Sequence, residues 1–233
     1  SSAASDVYKR QMLTNRKGCC MFENLQGFFA STTGQMITVG MIVVFFALIL
    51  IPGKGQKSKK PDAKALTVSA LMVALAMGLN QLTLFRMPQG GNITLLSMLP
   101  IAICAYLLGT RRGIMAGICL GLLDLIFHSY VIHPVQFLVD YPFAFGALGI
   151  GGILRDHKNG LVKGYLLGLF GRYLCAVFSG TVFFGAYAPE GFSPLTWSVW
   201  YNLTYLGIEG IITVIIISLP PVKKALEGLK KQM

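Results

Sequence analysis

One acid, Asp140, lies within an apolar stretch of the sequence and is surrounded by aromatic residues. The segment His133–Phe145 reads HPVQFLVDYPFAF. A carboxylate in hydrocarbon costs roughly 2.5–3.5 kcal/mol on insertion scales, so a chain that keeps one usually provides a partner, often a ligand. Aromatic rings attract cations to their faces, and the neighbouring side chains are Tyr130, His133, Gln136, Tyr141, Phe143 and Phe145. We therefore interpret this segment as part of a pocket for an organic cation.

The last apolar run of the chain carries its polar and aromatic residues on one side. At about 100° per residue, an arc of about 140° contains Trp197, Ser198, Tyr201, Asn202, Tyr205 and Glu209. Such an arc faces the interior of a membrane bundle. Trp197 and Asn202 lie nearest the outer end and are predicted ligand contacts, whereas Glu209 is interpreted as structural. An interhelical hydrogen-bond seam, worth about 0.6 kcal/mol per contact, is the alternative interpretation of the whole arc.

A basic residue, Arg172, lies in the preceding apolar run and requires an anionic partner. Asp124, Asp140 and Glu209 are the candidates, and the sequence leaves a structural ion pair and a ligand contact equally open. Asp124 has no aromatic residues beside it, and we interpret it as structural.

Motifs of metal sites and hydrolases are absent from the sequence. His128 and His133 lack further ligands at zinc-site spacing, and neither a phosphate loop nor a nucleophile elbow occurs. We predict a protein that is not an enzyme and that needs no cofactor or metal. A membrane enzyme using Asp124, Asp140 and the histidines is the weakest alternative.

The composition predicts that apolar helices position these residues. The chain is 54% hydrophobic and 12% charged, whereas soluble domains carry about 25% charged residues. Several runs approach the ~20 residues that span a lipid bilayer, and the alternation of a barrel is absent. The net charge of +11 resides mostly in short loops, which indicates topology and no binding of nucleic acid. We predict an all-α integral membrane protein.

The apolar runs divide the chain into a six-helix membrane domain, 65–219, and flanking segments. Before it lie an N-terminal tail (1–26), an extra hydrophobic helix (27–51) and a basic linker (52–64). Residues 1–11 precede the first methionine, and we interpret them as a non-native scar. A cytoplasmic tail, 220–233, follows. The six predicted helices are roughly 65–85, 93–108, 113–130, 135–154, 161–187 and 197–219.

Lysine and arginine concentrate in alternate loops, which places both ends of the six-helix domain in the cytoplasm. The other loops then meet at the outer membrane face, where the polar and aromatic residues of the predicted pocket also lie. One of these loops contains the glycine-rich turn at 89–92, and Gly90–Ile93 is predicted to form a mobile gate.

Several segments together resemble a known family over residues 90–205: the thiamine-specific substrate-binding component (S component) of energy-coupling factor (ECF) vitamin transporters. The segment HPVQ-x-L-x-DYP is the most specific. The segments that carry the resemblance are GGNITLLSMLP, LGTRRG, YVIHPVQFLVDYPFAFGALG, SGTVFFGAYAPEG and WSVWYNLTY.

The resemblance implies a six-helix S-component bundle in the bacterial plasma membrane. It implies high-affinity capture of extracellular thiamine, followed by uptake that a separate ECF transmembrane component and two ATPase subunits drive. Family members meet the transmembrane component through an alanine-rich face of the first helix, and Ala70 and Ala74 match that pattern. The alternative function is an autonomous secondary transporter for another small organic cation or vitamin.

The resemblance also implies roles for individual residues. Asp140 matches the family's acid, and Arg172 matches a basic residue. The chain departs from the family at Ala176, where members often carry a histidine, and at Phe184, where some have tryptophan. Losing that histidine removes a hydrogen bond worth about 0.5–1.5 kcal/mol net. The predicted ligand-binding residues are Asp140, Tyr141, Tyr130, Trp197, Asn202, Arg172, Phe184, Gly91, Asn92, His133 and Tyr201.

Overall fold

The computed structural model of the chain describes residues 28, 31, 36, 63–87, 91–127 and 130–233. The predicted N-terminal tail lies outside the described residues, and so does the predicted extra helix apart from three isolated positions. Most of the basic linker lies outside them as well.

The described chain is mainly helical, as the composition predicts. Each of the six predicted apolar runs contains one helix, and a further helix follows them. The helices are α1 (Ala63–Asn80), α2 (Leu99–Leu108), α3 (Thr110–Phe127), α4 (Pro134–Leu154), α5 (Gly160–Phe183), α6 (Pro194–Ser218) and α7 (Pro220–Lys231). The structure confirms the predicted all-α membrane class.

Four helices, α1, α4, α5 and α6, are long and apolar enough to cross a membrane. Helix α2 is apolar but short. Helix α3 has sufficient length but carries Arg111, Arg112 and Asp124. The predicted cytoplasmic tail at 220–233 contains α7, which is amphipathic and basic. Its Lys230 Nζ lies 2.8 Å from Asp156 Oδ1 and anchors α7 to the α4–α5 loop.

The ends of the first two predicted runs were wrong, because a β-hairpin joins α1 to α2. Strand β1 (Thr83–Arg86) pairs antiparallel with β2 (Asn92–Thr94), and Phe85 is opposite Ile93. β-Branched and aromatic residues favour strands, and here they continue an apolar run that resembles helix in one dimension. The hairpin lies at the end of the bundle where α1 finishes and α2 begins.

Helix α4 is irregular around Asp140. Its α-helical ends enclose a π-helical turn, Val139–Phe143, and a 3-10 turn, Gly149–Leu154, finishes it. Pro142 lies inside the π turn, where it cannot donate a backbone hydrogen bond. π-Helical turns are frequent at functional sites, and this one carries the acid that the sequence singled out.

Glycines let α3 approach the backbone of α4. A Cβ at Gly117 would lie 2.2 Å from the Phe145 carbonyl oxygen, so only glycine fits. This contact helps to bury α4 at the centre of the bundle, where most of its residues are buried, whereas few residues of α1 are. The chain therefore holds Asp140 on a central helix and leaves α1 at the periphery.

Candidate ligand-binding site

A cavity of about 490 Å³ lies at the hairpin end of the bundle. Its walls come from β2, the end of α1, and helices α3 to α6. The volume falls within the range of small-molecule pockets, about 300–1,000 Å³. The cavity lies among the loops that the charge pattern assigns to the outer membrane face.

The predicted ligand-binding residues converge on this cavity, with one departure. His133 does not line it. Its Nδ1 instead accepts a hydrogen bond from the Val135 backbone N–H at 3.1 Å and caps α4, and its ring stacks on Phe183. The predicted residues that do line the cavity are Tyr130, Asp140, Tyr141, Gly91, Asn92, Arg172, Phe184, Trp197, Tyr201 and Asn202.

Gln136 holds the carboxylate of Asp140 in place. Its Nε2 donates to Asp140 Oδ2 at 2.6 Å and to the Tyr130 carbonyl at 3.1 Å. Its Oε1 accepts from the Ile132 backbone N–H at 3.2 Å. Because Gln136 is buried and lies one turn before Asp140, it fixes both the acid and the loop that precedes α4.

Arg172 forms no ion pair with Asp140, Asp124 or Glu209 among the residues that the structure describes. Its guanidinium carbon lies 3.8 Å from the centroid of the Phe145 ring, a cation–π contact. Its Nη1 is buried and has no hydrogen-bond partner within the described part of the chain. The structural ion pair that the sequence left open is therefore not formed, and a donor on the cavity wall stays available.

Aromatic rings form two walls of the cavity. On one side, the Tyr130 ring stacks on Phe184 with centroids 5.9 Å apart, and its hydroxyl lies 3.5 Å from that of Tyr187. On the other side, successive turns of α6 bring Trp197 and Tyr201 to 5.9 Å and Tyr201 and Tyr205 to 5.8 Å. Asp140 and these π-faces together form a site suited to a flat cation.

Asn202 is mainly engaged in packing α6 against α5. Its Nδ2 donates to the Ser198 carbonyl at 2.8 Å and to the Ala176 carbonyl at 3.3 Å. Its Oδ1 accepts from the Tyr205 hydroxyl at 2.9 Å. Asn202 therefore takes part in an interhelical hydrogen-bond seam, which was the alternative to a ligand contact. It also lines the cavity.

The hairpin closes the outer side of the cavity through Gly91. The Gly91 N–H donates to the Tyr201 hydroxyl at 2.9 Å. A Cβ at this position would lie 2.9 Å from that hydroxyl and 3.0 Å from the Tyr205 ring, so the close approach requires glycine. Of the predicted gate, Gly90 lies outside the described residues.

Glu209 lies at the inner end of the cavity and joins the elements around it by hydrogen bonds. Its carboxylate accepts hydrogen bonds from Thr94 Oγ1 at 2.7 Å, Ser97 Oγ at 3.0 Å and the Met98 N–H at 3.4 Å. These donors belong to β2 and the approach to α2, so Glu209 joins the hairpin to α6. This geometry agrees with its structural interpretation from the sequence.

Several cavity residues were absent from the predicted ligand set. Asp124, interpreted as structural, lines the cavity and accepts from Asn80 Nδ2 at 2.6 Å. Gln136 and Ser179 also line it. A sequence signal for Ser179 existed, because it lies on the same side of α5 as Arg172 at about 100° per residue.

Ala70 and Ala74, the predicted partner contacts, lie on the exposed side of α1. Large apolar side chains accompany them there, and Leu71 is 62% exposed. This surface of α1 differs chemically from the cavity, because it presents small and aliphatic side chains and no charged ones.

The fold and the cavity together define a class: a multi-pass α-helical membrane protein with an internal site for a small organic ligand. Residues 66–227 match the sequence profile of the family described as Thiamine transporter protein (Thia_YuaJ). The chain belongs to this family, and it is a ThiT-type S component of the bacterial cell membrane.

Individual relatives agree with this assignment. The chain is 32% identical to the thiamine transporter ThiT of Bacillus subtilis over 168 residues, which cover 66% of this chain and 85% of that protein. It is 26% identical to ThiT of Lacticaseibacillus paracasei over 170 residues, 64% of this chain and 82% of that protein. The solved structure of ThiT from Listeria monocytogenes has the same fold, with a TM-score of 0.56, 24% identity, and coverage of 67% of this chain and 94% of that one.

Proposed function

We propose that this chain captures extracellular thiamine with high affinity and passes it to an ECF transmembrane component driven by two ATPase subunits. The observation that carries the proposal is the environment of Asp140. This carboxylate lines a cavity between aromatic walls and forms no ion pair within the described part of the chain. Arg172 also lines the cavity but contacts the Phe145 ring, so the positive partner of Asp140 in this proposal is a cationic ligand.

The chemistry of thiamine matches the walls of the cavity. Thiamine joins a permanently cationic thiazolium to a planar aminopyrimidine. The Asp140 carboxylate compensates the positive charge at short range, where the protein interior screens it weakly. The aromatic walls stack on the flat rings, and each cation–aromatic contact adds about 0.5–2 kcal/mol.

The chain acts by binding and carries out no reaction itself in this proposal. The hydrogen bond from Gly91 to Tyr201 holds the hairpin over the cavity, and in this proposal the hairpin retains the bound vitamin. Energy for release to the cytoplasm comes from the partner ATPases. The exposed side of α1, with Ala70 and Ala74, is the surface that meets the transmembrane component.

Equilibrium binding to the purified chain tests the capture step. We expect thiamine to bind tightly, riboflavin not to bind, and Asp140→Ala to weaken thiamine binding at least tenfold, about 1.4 kcal/mol. Asp156→Ala removes a carboxylate at the opposite end of the bundle and is the matched control. Unchanged quenching of tryptophan fluorescence during thiamine titration of Asp140→Ala would refute the anchor role.

Reconstitution tests the partner step. Vesicles that contain this chain alone should show no thiamine uptake, and addition of the transmembrane component, two ATPases and ATP should start it. Uptake by the chain alone would favour the autonomous secondary transporter. Ala74→Trp should prevent co-purification with the partners without changing thiamine affinity, whereas Ala225→Trp, at an exposed alanine of α7, should leave both unchanged.

A further inference from the structure

The hydroxyl of Ser179 differs from the threonine hydroxyls of α5 and α6. Ser179 is only 1% exposed, and its Oγ has no hydrogen-bond partner within the described residues. Elsewhere in α5 and α6, a threonine hydroxyl donates to the carbonyl four residues earlier, as from Thr181 to Val177 at 2.7 Å and from Thr213 to Glu209 at 2.8 Å. A buried polar group left unsatisfied costs about 1–3 kcal/mol and needs an explanation.

The position of Ser179 explains its unsatisfied hydroxyl, because the residue lines the cavity beside a second donor without a partner among the described residues. It follows Arg172 by two helical turns, at about 100° per residue, so both side chains leave α5 on the same side. Arg172 Nη1 likewise has no partner among the described residues. Between them Ala176 adds only a methyl group to the wall. This side of α5 therefore presents two donors to whatever fills the cavity.

An acceptor lies next to the Ser179 donor. Ser179 lies close enough to the Asp140 carboxylate to interact with it, although its Oγ has full hydrogen-bond geometry with none of the described residues. A donor beside an acceptor complements a ligand edge in which an amino group is bonded to the carbon next to a ring nitrogen. A phosphate at this position would be repelled by Asp140, whereas a neutral nitrogen would not.

We infer that Ser179 determines specificity by donating a hydrogen bond to the ring nitrogen of the aminopyrimidine, while Asp140 accepts from the neighbouring amino group. The inference rests on the proposed function and assigns the aminopyrimidine half of thiamine to the wall formed by α4 and α5. The cationic half then lies between the aromatic walls, within the field of the Asp140 carboxylate.

A binding cycle on the full chain tests this assignment. The proteins are the unaltered chain, Ser179→Ala and, as control, Thr181→Val, which removes a buried hydroxyl that does not line the cavity. The ligands are thiamine and the analogue whose ring nitrogen next to the amino-bearing carbon is replaced by CH. We expect the unaltered chain and the control to prefer thiamine about tenfold. Ser179→Ala should bind thiamine about tenfold more weakly and show no preference.

The outcomes separate this inference from the proposed function. A tenfold preference that survives in Ser179→Ala, or unchanged affinity of that variant for thiamine, would overturn the role of Ser179 alone. Absence of thiamine binding to the unaltered chain would overturn both. Thermal unfolding of the ligand-free proteins is a second measurement. Ser179→Ala should unfold at the same or a higher temperature than the unaltered chain, and a lower temperature would show a structural hydroxyl and overturn the inference.

Discussion

Two carboxylates line the same cavity, and the protein treats them in opposite ways. Glu209 at the inner end accepts from three protein donors, two of them side-chain hydroxyls. Asp140, near the outer loops, accepts from one side chain, Gln136. Burying a charge is tolerable when hydrogen bonds or an ion pair compensate it. Glu209 therefore receives more hydrogen bonds from the protein than Asp140 does, and in our proposal the bound thiamine adds the missing partner of Asp140.

The strongest test of this contrast is Glu209→Ala, which should destabilise the ligand-free protein by about 3 kcal/mol. Three donors lose a charged acceptor, and hydrogen bonds to charged groups contribute about 1.5–3 kcal/mol each. Thermal unfolding in detergent measures the loss. Glu190→Ala, at an exposed loop carboxylate, is the control and should unfold like the unaltered chain. A fully stable Glu209→Ala protein with lost thiamine binding would reverse the assigned roles.

Asp140→Asn should give the opposite result, a binding defect without a stability defect. The asparagine oxygen can still accept from Gln136, so the variant removes the charge and keeps the local hydrogen bond. Thiamine affinity should fall at least tenfold, about 1.4 kcal/mol. Ligand-free stability should be equal or higher, because the variant removes a buried charge that forms no ion pair within the described residues. Calorimetric titration and thermal unfolding of one preparation measure both, and a variant that binds normally but unfolds early would contradict the contrast.

The sequence predicted the helix that carries Asp140 better than the hairpin that Glu209 contacts. An acid among aromatic residues in an apolar run is a local pattern, and the helix that bears it was predicted near its observed bounds. The hairpin was missed because Thr83–Arg86 continues an apolar helix in one dimension. Its pairing depends on contacts with α6 more than 100 residues away, from Thr94 to Glu209 and from Gly91 to Tyr201. No local pattern carries such information.

The same limit applies to His133 and Asp124. His133 is near the site in sequence, but its Nδ1 caps α4 and its ring packs on Phe183. Asp124 has no aromatic neighbour in sequence, but the fold brings it to the cavity with Asn80. Residue type and spacing predicted most of the side chains that line the cavity, whereas the direction of each side chain depended on how the helices pack.

Gln136→Met would test the contrast further by removing the side-chain donor that lies 2.6 Å from Asp140 Oδ2. The methionine keeps the length of the side chain but frees both the acid and the loop carbonyl of Tyr130. We expect thiamine affinity to fall about fivefold, since a hydrogen bond contributes about 1 kcal/mol net. The variant Asp140→Asn/Gln136→Met should lose less than the two single changes combined, because they affect one interaction. Additive losses would show that Gln136 acts independently of the acid.

The smallest effect on thiamine binding is expected from removing the hydroxyl of Tyr201, which contacts the hairpin. Tyr201→Phe removes the acceptor of the Gly91 N–H and keeps the ring in the aromatic wall. Because the hairpin loses one hydrogen bond, worth about 0.5–1.5 kcal/mol, thiamine should dissociate a few-fold faster with little change in its association rate. Stopped-flow fluorescence measures this rate when an excess of a competing ligand prevents rebinding.

Tyr173→Phe is the control, because the Tyr173 hydroxyl donates to the Val199 carbonyl and joins α5 to α6 away from the hairpin. That variant should lose stability and keep the dissociation rate. If both variants release thiamine at the unaltered rate, the hairpin contact does not retain the ligand, and the cavity must hold thiamine through Asp140 and the aromatic walls alone.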